Sequence, residues 1–181
     1  MQAKKASSDR VRKLALTGIL SSATVAVLII ESFVPTGRAG FYVLASFILS
    51  VIVLENGVKW GWGGYLVSSL AGFLLVPEKL NVLPFILFFG LYTLLKFHIE
   101  TLRKMWLEII LKLAAFNVVL WPAWSFAKTF LPEKLTEGWG IAVAGIVLQV
   151  LFLFYDFLFT WWIHYYFEKI APRVGRKKSD L

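Results

Sequence analysis

Long apolar runs alternate along this chain with short breaks made of Gly, Pro and charge. The runs have the length of membrane-crossing helices, and none alternates with the period of two expected of a barrel strand. Six spans follow, over residues 14–34, 39–56, 60–76, 82–100, 106–130 and 139–167. Only a tight ENGVKW turn separates the second from the third. The predicted fold is therefore all-α: a polytopic membrane protein with six transmembrane helices in a single domain over residues 1–181. Basic tails cover 1–13 and 168–181. The first apolar run is about 20 residues long, beyond the roughly 7–15 of a signal-peptide core, and no A-x-A site follows, so it is read as a retained first helix.

Composition agrees with this pattern. Of 181 residues, 59% are hydrophobic and the mean hydropathy is +0.73, more apolar surface than a soluble core of this length can hide. Cysteine is absent, which removes disulfides, iron–sulfur clusters and thiol catalysis from consideration. The net charge of +8 would suggest nucleic acid on a soluble protein. Here the charge gathers at the chain ends and sets topology instead. Lys4, Lys5, Arg10, Arg12 and Lys13 precede the first span, and Lys169, Arg173, Arg176, Lys177 and Lys178 follow the last. With Lys59, Arg103 and Lys104 in loops of the same side, thirteen basic residues face four (Arg38, Lys79, Lys128 and Lys134) on the other. Both termini are thus expected in the cytoplasm, with the chain multi-pass in the cell membrane and the lipid bilayer as its first partner. Trp60, Trp62, Trp106, Trp139, Trp161, Trp162, Tyr165 and Tyr166 lie near span ends as an interfacial belt.

Polar groups inside spans need partners. Lys96 and Glu100 end the fourth span, and Glu108 and Lys112 open the fifth. Folded as an antiparallel hairpin, Lys96 would approach Glu108 and Glu100 would approach Lys112, neutralising four charges as a clamp. His98 points away from its two neighbours and is read as interfacial. Glu31 lies near the outer end of the first span, in reach of Arg38. Asn117, Trp121 and Trp124 form one stripe on the fifth span, and Gln149 lies near the middle of the sixth. Together Glu31, Asn117, Trp121, Trp124 and Gln149 are the candidate lining of a small-molecule site open to the outside. Asp156, further inward, is expected to pair with Lys112. Ser68 and Ser69 are expected to bond their own helix backbone, and Gly61, Gly63 and Gly64 to permit a tight helix start. Finally, Ala15, Gly18, Ser22 and Ala26 recur at spacings of three and four along the first span, so small side chains share one face where another helix can approach closely.

Motifs of hydrolases, metalloproteases and nucleotide-binding loops are not found, and the two histidines lie apart from any acidic cluster. The chain is read as non-enzymatic, with no metal, no cofactor and no nucleic-acid partner.

The stretch ALTGILSSATVA, the basic start of the first span and its ending ESFVP resemble the S components of energy-coupling-factor (ECF) transporters, as does the six-helix architecture. That resemblance implies a substrate-binding membrane subunit of an importer for a vitamin-like small molecule. It also implies a membrane T subunit and cytoplasmic ATPases as partners, with Ala15, Gly18, Ser22 and Ala26 contacting the T subunit. The alternative is a non-transporting membrane scaffold or assembly protein with an S-component-like fold. An outward cavity would favour ligand capture, and a filled bundle interior would favour the scaffold.

Overall fold

The structure, a computed structural model, describes residues 2–102, 104–127 and 139–174, and among these every regular element is helical. Helix α1 spans Gln2–Ser32, α2 Arg38–Asn56 and α3 Val58–Leu75. Helices α4 (Lys79–Pro84) and α5 (Gly90–Glu100) are joined without a break by a π turn, Phe85–Phe89. Pro84, which has no N–H to give its helix, stands immediately before that turn, where the ladder must adjust. Helix α6 covers Met105–Ala127 and α7 Trp139–Tyr165, the latter followed by a π turn, Tyr166–Ile170, and a 3-10 turn, Ala171–Val174.

Among the described residues, five stretches are long and apolar enough to cross a membrane: Ser7–Ser32, Arg38–Asn56, Lys79–Glu100, Met105–Pro122 and Trp139–Ile170. Helix α3 is not among them, because its opening turns carry Lys59, Trp60, Trp62, Tyr65 and three glycines. At about 1.5 Å per residue, the 31 residues of α1 run some 46 Å, past a hydrocarbon layer of ~30 Å. The helix therefore continues through the basic stretch that precedes its apolar run.

The chain divides into two compact units, Met1–Val119 and Leu120–Leu181. In the first, α1, α2 and α3 pack against one another and against the α4–α5 helix. Leu28, Leu49, Ile52, Phe85 and Leu94 fill the space between them and are fully buried. Gly57 closes the α2–α3 turn alone, with a φ of +90° that only glycine adopts without strain. Gly64 does something different from opening a helix. A Cβ there would sit 2.5 Å from Cδ1 of Ile52, so the missing side chain is what lets α3 lie close against α2. Ser68 also departs from expectation: its hydroxyl leaves its own helix and donates to the Ser21 carbonyl on α1, while Ser21 donates to the Gly64 carbonyl, both at 3.4 Å.

In the second unit, Phe152, Tyr155 and Phe159 make a buried stripe on α7, while Ile146, Val150, Phe154, Phe157 and Trp161 are exposed. The spacing of the buried three, three then four residues, is that of one helix face.

Candidate functional site

The last turn of α1 carries Glu31, and the chain then reverses through a short turn in which Gly37 adopts φ +77°. Helix α2 starts at once with Arg38, and Tyr42 follows one turn later on the same face. The short helix α4 brings Asn81 to the same corner. These four residues form a connected polar cluster. The Arg38 Nε donates to the Val34 carbonyl at 3.2 Å, and its Nη1 donates to Asn81 Oδ1 at 2.9 Å. Asn81 Nδ2 donates in turn to Glu78 Oε2 at 3.1 Å.

Glu31 itself is poorly served. Its side chain is 1% exposed, and Arg38 Nε stands 3.5 Å from Oε1, an ion pair longer than a good hydrogen bond. The Tyr42 hydroxyl is 3.0 Å from Oε1, but also 2.7 Å from the Asn81 carbonyl, and a single hydroxyl proton faces both acceptors. Oε2 is buried and has no hydrogen-bond partner among the described residues. A carboxylate in this setting accepts fewer hydrogen bonds than its charge demands.

The other expected lining residues stand on α6 and α7. Asn117 is exposed on α6, and its amide donates back to the Leu113 carbonyl at 2.8 Å. Trp121 is 78% exposed. Gln149 is half-buried on α7. The side chain of Trp124 lies outside the described residues. Tyr42 and Asn81, in contrast, were not singled out by their sequence context. Tyr42 sits four residues after Arg38, which was a usable signal; Asn81 had none, because only the tertiary fold brings α4 to the end of α1.

Where α5 ends, Glu100 Oε1 receives Lys96 Nζ at 2.8 Å and Lys112 Nζ at 2.9 Å. The hairpin pairing of Glu100 with Lys112 is present. Lys96, fully buried, reaches Glu100 four residues along its own helix, which needs no diagonal crossing to Glu108. Glu108 is half-buried at the start of α6. His98 Nδ1 donates to the Leu94 carbonyl at 2.9 Å and the residue is exposed. Asp156 is half-buried on α7. Among the described residues, no three His, Asp or Glu side chains converge on a metal position.

The small-residue face of α1 is the third feature. Thr17, Ser21, Thr24, Val25 and Leu28 turn into the bundle and are buried. Ala15, Gly18, Ser22 and Ala26 lie on another face and are all exposed, with open space around the position a Gly18 Cβ would take. The stripe is therefore not used for packing within its own unit. No protein-family model, no curated protein and no solved structure matches this chain.

Proposed function

We propose that this chain is the substrate-binding membrane subunit of a small-molecule importer, docking to an energising membrane partner through α1. The observation that carries the reading is the outward small-residue stripe of α1. In lipid, helices associate where small side chains let backbones approach, and this face is exposed and unused by the packing of its own unit. The chain crosses the cell membrane six times, with the less apolar α3 as the third span and both termini cytoplasmic, as its distribution of basic residues favours. The Glu31 corner then lies at the outer face, where a vitamin-like substrate enters. Energy comes from other subunits, since the sequence carries no nucleotide-binding motif.

A second reading, a scaffold that docks to a membrane partner without capturing a ligand, is favoured by the filled interior between α1, α2, α3 and α4–α5. One experiment separates the two. The chain contains no cysteine, so single cysteines at Gly18 and at Leu66 on the exposed face of α3 give clean cross-linking probes in the host membrane. Cross-linking at position 18 to one membrane protein, with ATPases and a vitamin-sized molecule in the native mass spectrum, is the expected result. The same partner without ATPases or ligand establishes the scaffold. Equal labelling at 18 and 66, or none at either, removes the docking role of α1 from both.

A further inference from the structure

The Glu31 corner has a definite deficit of hydrogen-bond donors. Glu31 and Glu78 contribute two carboxylates, and the last-turn carbonyls of α1 add the negative end of a helix dipole. Among the described residues, Arg38 stands against these, and Lys79, next in sequence to Glu78, donates to the Leu74 and Val76 carbonyls at 2.9 Å each. Arg38 is held by two neutral acceptors, Val34 O and Asn81 Oδ1, and its side chain is 39% exposed. It can exchange both bonds for water, whereas Glu31 beneath it is closed off and keeps one oxygen without a donor.

We propose that Glu31 is the receptor for the positively charged group of a small ligand, a primary ammonium or a guanidinium, which enters by displacing Arg38. This rests on the reading of the chain as a ligand-capturing subunit and adds the chemical class of what it captures. In this arrangement Arg38 is a tethered stand-in, lying over the carboxylate until a cation with better-placed donors arrives. The incoming N–H groups reach Oε2, which Arg38 does not serve, and Oε1. The Tyr42 proton is then left to the Asn81 carbonyl, its closer acceptor. A charge-assisted pair of this kind is shorter and stronger than the 3.5 Å contact it replaces.

The test uses the purified full-length chain in lipid nanodiscs, titrated with methylguanidinium, methylammonium or Na+ at constant ionic strength set with tetramethylammonium chloride. Two readouts are taken: the thermal unfolding midpoint, and phenylglyoxal modification of Arg38 followed by peptide mass mapping. Either organic cation is expected to raise the midpoint saturably and to increase modification of Arg38 as the arginine swings out. Glu31→Gln is expected to weaken the apparent affinity by about tenfold or more. Arg38→Gln is expected to strengthen it, because the internal competitor is gone; a merely structural arginine gives no gain. A saturable response to Na+ alone overturns the organic class and assigns an alkali-ion site. No saturable response to any of the three in wild type and in Arg38→Gln overturns the site itself. A vitamin-sized molecule retained equally by wild type and Glu31→Gln would keep the importer reading and sink this assignment of Glu31.

Discussion

Glu31 and Glu100 are both glutamates at the end of a helix, one with its side chain 1% exposed and the other 31%, and their charges are met differently. Each sits in the last turn of a helix, where the backbone carbonyls make a carboxylate unwelcome, and each therefore needs cations. Glu100 has them in excess: Lys96 and Lys112 both meet its Oε1, at 2.8 and 2.9 Å. Glu31 has one arginine at 3.5 Å and an oxygen with no hydrogen-bond donor. The Glu100 cluster fastens α5 to α6, with both lysines on one carboxylate oxygen and the side chain 31% exposed to further donors. Glu31 itself is closed from solvent yet chemically incomplete. Polar groups buried for structure tend to be saturated, so the shortfall at Glu31 is the feature that a ligand-binding role explains and a clamp does not.

The largest expected consequence lies at Glu100. Glu100→Gln removes the charge shared by two lysines, one of them fully buried. Breaking a buried pair by taking away one partner destabilises by about 3 kcal/mol. Denaturation in mixed micelles, followed by circular dichroism, is expected to show that loss, with the α5–α6 hairpin opening first. An unfolding curve that overlays the wild type would mean the two lysines are satisfied without Glu100, and the contrast with Glu31 would collapse.

How far the chain foretold this is uneven, for physical reasons. Helix type and approximate position were legible because lipid leaves the backbone only internal partners, so long apolar runs have one outcome. The i,i+4 spacing of Lys96 and Glu100 and the short loop to Lys112 made their cluster readable, since local geometry alone brings the three together. The tie between Glu31 and Arg38 was readable for the same reason. Asn81 was not, lying 43 residues from Arg38 along the chain. Asn117, expected to line a site, donates its amide to the Leu113 carbonyl of its own helix. Ser68 was expected to bond its own turn and instead bonds across to α1, where Gly64 lets the helices lie close.

Within the Glu31 cluster the effects should be smaller, and in a revealing order. Tyr42→Phe takes the donor away from the Asn81 carbonyl and from Oε1, and is expected to destabilise by about 1 kcal/mol. Glu31→Gln, the same substitution that is so damaging at Glu100, is expected to change stability by less than about 1 kcal/mol. It removes a buried, under-served charge, while Arg38 keeps Val34 and Asn81 as partners and stays in contact with water. Parallel unfolding titrations of Glu31→Gln and Glu100→Gln check the comparison directly. Equal losses at the two sites would make Glu31 an ordinary structural carboxylate and remove its claim to be anything more.

The smallest effect on stability is expected on the outward face of α1. Gly18→Leu places a side chain where the structure has nothing within 4 Å of the Cβ position, and surface changes of this kind stay within about 0.5 kcal/mol. Its effect belongs to assembly. A leucine among Ala15, Ser22 and Ala26 fills the shallow groove that lets a second helix approach, so a complex that uses the stripe should dissociate while the chain remains folded. Blue-native electrophoresis of host membranes, beside an unfolding titration of the purified variant, reads both quantities. Loss of the larger species with an unchanged unfolding curve assigns the face to a partner. An unchanged complex would show that α1 meets only lipid there, and the partner would have to be sought on the other exposed apolar faces, those of α3, α6 and α7.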